Sequence, residues 1–141
     1  MKAISLWEPW ATLMALDAKR IETRSWATHV RGQVAIHAAK QPFHPGDWPP
    51  DLLAWMSRVK FWGSGYHYGC VVAIAELVDC VPTEQLLLQV DERERAFGNY
   101  HPRRFGWVFK NVRRLTSPIP ARGSQGFWEW DSPELLELVR C

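Results

Sequence analysis

One short segment of the sequence brings together three side chains that could recognise a charged, planar ligand. Glu22, Arg24 and Trp26 alternate along residues 20–26, a stretch with the pattern of a β-strand, so we expect all three on one face of that strand. A carboxylate, a guanidinium and an indole together can bind charge, hydrogen-bonding edges and a flat ring. The alternative is an exposed strand that carries a surface ion pair.

A second candidate, Glu76, lies in the most apolar segment of the chain. In a strand from Cys70 to Cys80, Glu76 shares a face with Val72, Ile74 and Val78, which predicts a carboxylate among apolar neighbours. A buried carboxylate requires a cation or several hydrogen-bond donors, and Lys19 and Arg24 are the candidates for that cation. Glu76 is therefore either half of a structural ion pair or a carboxylate that faces a cavity.

Three further polar residues could complete such a site. His37 ends a predicted strand, where it is either a hydrogen-bonded structural imidazole or a catalytic group. Lys40 is either a solvated surface lysine or, beside Lys19 and Arg24, part of a phosphate-sized positive patch. Arg104 belongs to a basic doublet that could clasp a polyanion or could be solvated.

The composition limits how a nucleic acid could be bound. The net charge of +2 is too small for binding by bulk attraction, so any such binding requires a local patch. The nine tryptophans are more than a domain of 141 residues readily buries, and we expect two or three of them to line a groove. Bases stack on such rings in single-stranded sites.

Length and cysteine content predict a single domain over residues 1–141 in a reducing compartment. The three cysteines form no CxxC pair, which argues against a disulfide framework or a zinc site, and we expect no metal or cofactor. The sequence has no signal-peptide pattern and no apolar run long enough to span a membrane. We therefore expect a cytoplasmic protein that does not bind membranes.

A mainly β fold must position these residues. Strands are predicted over residues 2–6, 20–26, 32–38, 69–80, 105–115 and 126–130. Helices are predicted after Pro9, over residues 51–60 and 83–90, and from Ser132 to Arg140, where a cap residue, a proline and an acid follow one another. Loops are predicted over residues 41–50, 61–69 and 91–104, the last of them mobile. Together these elements predict an α+β domain, mainly β with helices, in which a small β-barrel is flanked by α-helices.

The segment from Asp17 to Arg24 resembles the G-x-K-x-x-E-x-R motif of the ASCH domain, a branch of the PUA-like superfamily. Every motif position matches except the leading glycine, which is Asp17 here. The resemblance extends over nearly the whole chain, through residues 5–10, 31–32, 36–40, 71–80 and 118–123. It implies a PUA-like small β-barrel with helices, and a cleft that presents Lys19, Glu22 and Arg24.

The leading hypothesis is a domain that binds RNA or a modified nucleotide, because RNA-related roles are what the resemblance implies. In this hypothesis Glu22 accepts a hydrogen bond from an amino group such as cytosine N4. Stacking on the tryptophans is a physical inference of our own and is not carried over from the family. The ligand-binding residues would be Trp7, Trp10, Lys19, Glu22, Arg24, Trp26, His37, Lys40 and Arg104.

Two alternatives stay open. One branch of the family resembles an amidohydrolase that removes the acyl group from N4-acetylcytidine with the motif lysine, a threonine three residues later and a glutamate; that threonine position is Glu22 here. Some relatives have also been linked to RNA cleavage. In a hydrolase that acts on RNA or on an acylated nucleoside, Lys19, Glu22 and Glu76 would be the catalytic residues. The other alternative is a coactivator-like module that binds a protein partner through tryptophan and phenylalanine side chains of residues 43–62.

Overall fold

The computed structural model describes residues 1–42, 48–58, 65–134 and 136–138. The strands are β1 (Lys2–Leu6), β2 (Ile21–Arg24), β3 (Gly32–Ala38), β4 (Cys70–Pro82), β5 (Phe105–Pro120) and β6 (Phe127–Glu129). The helices are α1 (Trp10–Ala15), α2 (Pro50–Met56), α3 (Thr83–Leu86) and α4 (Glu92–Ala96). The strands form one mixed half-barrel sheet in the order β2-β5-β4-β3-β1-β6. In it β1 and β3 run parallel, and the other neighbours run antiparallel.

The central strands are apolar on both faces because both faces of the sheet are covered. Ile4 of β1 packs with Met14 of α1 in one buried cluster, whereas its neighbour Ala3 packs with Trp130 in a second cluster. Along β4 the same division separates Leu77 from Val71. The predicted α+β fold, mainly β with flanking helices, is confirmed.

The predicted C-terminal helix is wrong in the part that is described. Residues 131–134 and 136–138 contain no helix, and Leu138 instead forms an isolated β-bridge with Leu115 of β5. The backbone N–H of Thr116 donates to the carbonyl oxygen of Glu137 at 2.9 Å. Leu136 and Leu138 pack against the cluster that contains Trp130, so tertiary packing outweighs the local helix-start pattern.

The predicted mobile loop over residues 91–104 contains helix α4. Asp91 caps this helix, since its Oδ1 accepts a hydrogen bond from the backbone N–H of Glu94 at 2.8 Å. An acidic cap followed three residues later by a glutamate is a recognisable helix start, which the charged composition of the segment concealed. Glu94 itself is buried, so this segment is part of the packed structure.

Other element boundaries also differ from the predictions. Strand β5 continues through Pro118 and Pro120, where a break was predicted. β2 pairs only with residues 105–108 of β5, so neither proline has to donate a ladder hydrogen bond to β2. Helices α2 and α3 end earlier than expected, at Met56 and Leu86. Residues 43–47 and 59–64, which belong to the predicted loops and to the end of the helix predicted over residues 51–60, lie outside the described residues.

In the described ranges, no helix has the length and apolar character needed to cross a membrane.

A fully buried carboxylate caps helix α1. The two oxygens of Glu8 accept hydrogen bonds from Thr12, one from its backbone N–H at 2.7 Å and one from its hydroxyl at 2.5 Å. These bonds satisfy a donor that the first turn of the helix leaves open. Burial nevertheless raises the pKa of Glu8 above its ordinary value, and the hydrogen bonds from Thr12 oppose this effect.

Ionised Glu8 is therefore expected to reduce stability as the pH rises. Because its pKa is raised on folding, the native state binds more protons than the unfolded state above pH 4.5, and the free energy of unfolding falls as the pH increases through that window. Glu8→Gln keeps an acceptor for the Thr12 N–H and removes the ionisation. We expect the stability of the variant relative to the original chain to increase between pH 4.5 and 8 in urea titrations, by about 1.4 kcal/mol for each pH unit that separates the folded and unfolded pKa values. The exposed Glu92→Gln serves as control, and a pH-independent difference for Glu8→Gln would contradict the assignment.

Candidate functional site

A cleft of about 1800 Å³ collects most of the predicted ligand-binding residues. Its walls come from the ends of β1 and β3, from β2, from residues 96–104 and from residues 120–126. Of the predicted residues, those that line the cleft are Trp7, Trp10, Glu22, Arg24, Trp26, His37, Lys40 and Arg104. Lys19 and Glu76 are not among its lining residues.

Strand β2 presents Glu22 and Arg24 side by side on the cleft wall. The Nε of Arg24 donates to Oε2 of Glu22 at 3.2 Å, and its Nη2 donates to the backbone oxygen of Ser5 at 3.0 Å. The guanidinium also lies 5.7 Å from the centre of the Trp107 ring. Ile21 and Thr23, the alternating partners in β2, are buried, so the predicted shared face of Glu22 and Arg24 is confirmed. The pair is held in place yet remains open to the cleft.

Indole rings form the flat surfaces of the cleft. Trp7 is 48% exposed and Trp26 is 39% exposed, whereas Trp10 is half-buried. The ring of Trp26 meets the buried Trp107 edge to face at 4.6 Å, and Nε1 of Trp107 donates to the backbone oxygen of Trp26 at 3.2 Å. The prediction that two or three of the tryptophans line a groove is therefore confirmed.

Lys19 lies beneath the cleft rather than in its wall. Its side chain is fully buried, and its ammonium donates to the backbone oxygens of Ile21 and of Phe97, the latter at 2.8 Å. The nearest carboxylate oxygen is Oε1 of Glu22 at 3.8 Å. The prediction that Lys19 lines the cleft is wrong, because the backbone oxygens of Ile21 and Phe97 hold its ammonium in the interior, where the side chain has no exposed surface. Lys19 ties β2 to the segment that follows α4.

The charge of Lys19 is costly in this position. Burial lowers the pKa of Lys19, and the carboxylates of Glu22 and Glu94 oppose that shift. Glu94 does not reach the cleft: its Oε1 accepts from the backbone N–H groups of Arg20 at 3.0 Å and Ile21 at 2.7 Å. The sequence placed Glu94 in a predicted mobile loop and gave no sign of this role, which depends on a contact between residues 73 positions apart.

Glu76 lies away from the cleft, on a small groove that it shares with Arg113. Its Oε2 accepts from Nδ2 of Asn111 at 2.8 Å, and the residue is half-buried. The prediction of a buried carboxylate paired with Lys19 or Arg24 is wrong. Alternation does hold from Ile74 to Leu77, and Glu76 shares the face of Ile74. At Glu76, however, this face borders a groove lined by the polar side chains of Gln33, Asn111 and Arg113, so apolar residues do not enclose the carboxylate.

His37 is a buried, fully hydrogen-bonded imidazole on the floor of the cleft. Its Nε2 lies 2.8 Å from the carbonyl oxygen of Ala121, which can only accept, so Nε2 carries a proton. Burial lowers the pKa of His37, which favours the neutral ring, and its Nδ1 then accepts from the Ser5 hydroxyl at 2.9 Å. Nε1 of Trp128 in turn donates to Oγ of Ser5 at 3.2 Å. Of the two interpretations of His37, the geometry matches the structural one.

His37 is expected to remain neutral until the pH falls below its ordinary pKa of 6.5. Because folding lowers its pKa, the unfolded state binds more protons below pH 6.5, and stability is lost as the pH falls through that window. Nitrogen-15 NMR of the ring at pH 7 should show the proton on Nε2, and a titration should give a midpoint below 6.5. A proton on Nδ1, or a midpoint above this value, would contradict the hydrogen-bond assignment.

The charge of the cleft is strongly positive. Among its described lining residues, the cations are Arg24, Lys40, Arg104 and Arg122, and Glu22 is the carboxylate. Arg104 is anchored by its Nε to the backbone oxygen of Asn99 at 3.1 Å and by its Nη2 to that of Thr23 at 3.2 Å. Arg122 was not proposed from the residues themselves, because no local pattern distinguishes it from other surface arginines.

Comparisons with known proteins place this geometry in context. A family model described as "ASCH domain" matches residues 4–119. Two relatives called "Activating signal cointegrator 1", from Homo sapiens and Mus musculus, are each 26% identical over 92% of this chain, which spans 22% of their length. Two crystal structures from Zymomonas mobilis, of ASCH and of a mutant form of it, are 15% identical with a TM-score of 0.52. They cover 99% of this chain, which covers 87% and 89% of theirs, and they support the fold alone.

Proposed function

The chain belongs to the ASCH domain family, and on that premise we propose that its cleft binds RNA, as a single-stranded segment or as a modified nucleotide. The observation that supports the proposal is the combination of exposed indoles with clustered cations in one cleft. Trp7 and Trp26 offer flat surfaces, and the cations exceed the carboxylate by four to one in the described lining. Single-stranded nucleic acid is bound by such a combination, because cations follow the backbone and aromatic rings stack with bases.

Glu22 and Arg24 add the capacity to read a base edge. A carboxylate accepts from an exocyclic amino group, and a guanidinium donates to ring nitrogens and carbonyl oxygens. Both side chains are already oriented, since Arg24 is fixed by Glu22 and by the Ser5 backbone oxygen. Little conformational entropy is then lost when a base is bound, which favours selective recognition over general attraction.

The test is the binding of fluorescently labelled single-stranded RNA, followed by anisotropy at several salt concentrations. We expect affinity to fall steeply with salt, and Arg24→Ala to weaken binding by about 5- to 150-fold because it removes about 1–3 kcal/mol of recognition. Arg113→Ala removes the same charge from outside the cleft and serves as the matched control. Equal effects of the two substitutions, or no binding by the original chain, would overturn the proposal.

The hydrolase alternative gains no support from the described geometry. Two of its three catalytic candidates cannot reach a substrate in the cleft, since Lys19 is fully buried and Glu76 lies on another groove. The protein-interaction alternative rests on residues 43–62, of which 43–47 and 59–62 lie outside the described residues. In the described remainder Trp48 is buried, and Trp55 is half-buried with Arg58 stacked 4.6 Å from its ring centre. The name of the cointegrator relatives keeps a protein partner as a second proposal for the chain.

A further inference from the structure

Two cations of the cleft, Lys40 and Arg122, follow residues that hydrogen-bond to the backbone of Gly69 from either side. The backbone N–H of Gly69 donates to the oxygen of Ala38 at 2.8 Å, and the oxygen of Gly69 accepts from the N–H of Ala121 at 2.9 Å. Lys40 lies two residues after Ala38, and Arg122 directly follows Ala121. Both side chains are exposed or half-buried and line the cleft. The backbone therefore brings two separate positive charges to the same end of the cleft.

Lys40 and Arg122 differ from the other two cations of the cleft because no described residue pairs with their side chains. Arg24 is paired with Glu22, and Arg104 is anchored to backbone oxygens. Within the described part of the chain, Lys40 and Arg122 form neither an ion pair nor a side-chain hydrogen bond. Their charge is thus available to an external anion.

The loop that carries Arg122 adds unused backbone donors. In the residues that the structure describes, the N–H groups of Gly123, Ser124 and Gln125 donate to no protein acceptor, although all three residues line the cleft. Successive free N–H groups beside cationic side chains are a recurrent way of binding phosphate. The loop therefore contributes hydrogen-bond donors of fixed orientation, whereas the positive charge of the site comes from Lys40 and Arg122.

The floor of the cleft fixes the position of this loop. His37 donates to the oxygen of Ala121, and the loop then passes so close that a Cβ on Gly123 would lie 2.6 Å from Oγ of Ser5 and 2.7 Å from Cε1 of His37. Only glycine permits this approach. The donors and Arg122 are thus held against a rigid, hydrogen-bonded pair rather than on a freely moving tip.

We propose that this end of the cleft, formed by Lys40, Arg122 and the loop of residues 122–125, binds the terminal phosphate monoester of an RNA strand. A monoester carries a charge of about −1.5 to −2 at pH 7, whereas each internal phosphodiester carries about −1. Two unpaired cations match the larger charge, and the free N–H groups can donate to its third non-bridging oxygen, which an internal phosphodiester lacks. The inference rests on the proposed function, because it names the part of the RNA that one end of the same cleft recognises.

The experiment compares oligonucleotides of one sequence that differ only at an end. The strand carries a 5′-phosphate, a 3′-phosphate or hydroxyls at both ends, with the fluorophore on the opposite terminus, and dissociation constants are measured by anisotropy. We expect one phosphorylated strand to bind about tenfold more tightly than the hydroxyl strand, which corresponds to about 1.4 kcal/mol, because the monoester accepts charge-assisted hydrogen bonds that a hydroxyl cannot. The 5′ and 3′ arms identify which end is recognised.

Variants assign the preference to the site. Lys40→Gln and Arg122→Gln should each reduce the preference for the phosphorylated strand, whereas Arg113→Gln should leave it intact. Both substituted residues are exposed, so unchanged thermal midpoints should show that folding is preserved. Equal affinity for all strands while RNA is still bound would overturn this inference and leave the proposed function standing. Absence of binding to every strand would overturn both.

Discussion

Replacing Lys19 with methionine is expected to lower the free energy of unfolding by about 3–5 kcal/mol, which is the usual cost of removing one partner from a buried charged cluster. The ammonium holds the backbone oxygens of Ile21 and Phe97 and faces Glu22. Methionine fills most of the volume and cannot donate, so two buried carbonyl groups lose their donor and Glu22 retains only Arg24 as a charged partner. Urea unfolding monitored by tryptophan fluorescence measures the difference.

A matched control is available one residue away. Arg20 forms an ion pair with Asp17 at 3.2 Å, but the two side chains are 63% and 47% exposed. We expect Arg20→Met to cost less than about 1 kcal/mol, because exposed pairs contribute little. Similar losses for the two variants would mean that the ammonium of Lys19 is not a structural tie between β2 and the segment after α4.

The second large effect concerns binding. Removing the most exposed cleft tryptophan by Trp7→Ala is expected to weaken RNA binding by about 1–3 kcal/mol, or roughly 5- to 150-fold, if one base stacks on its ring. Since an indole carries no charge, the slope of log Kd against log salt should stay the same, whereas Lys40→Gln or Arg122→Gln should reduce it by about one each. Anisotropy titrations over a series of salt concentrations separate the two kinds of contact.

Trp55→Ala provides the control for this measurement. Trp55 is a half-buried tryptophan of α2 that does not line the cleft, so its removal should leave RNA affinity unchanged. Equal losses for the two tryptophan variants would assign the effect to general loosening of the domain. A changed salt slope for Trp7→Ala would show that the ring acts by positioning a cation and not by stacking.

The features that could be predicted from the sequence are those set by local periodicity. Glu22 and Arg24 share a face because alternation within a short strand depends on nothing outside it. Lys19 follows no such rule, because its burial depends on a partner, the backbone oxygen of Phe97, that is 78 residues away. The resemblance identified Lys19 as a motif residue, but a motif does not specify whether a side chain is above or below a surface.

Non-local packing explains the remaining differences. Glu76 shares a face with Ile74, as alternation predicts, but the strand pattern does not show what covers that face, and beside Glu76 it is bordered by Asn111 and Arg113 of β5. The C-terminal segment has the cap and proline of a helix start, yet Leu138 is held by a bridge to Leu115. In both cases the outcome depends on residues of strand β5, which are distant in sequence.

The order of strands in the sheet has a consequence for synthesis of the chain on the ribosome. β1 pairs with β3 and β6, and the floor of the cleft needs Ser5 of β1 together with Trp128 of β6. At about 5–20 residues per second, on the order of 6–24 s separate the translation of these two strands. During that interval β1 lacks one of its two neighbours. Until β6 has left the ribosome, the nascent chain therefore has no complete cleft.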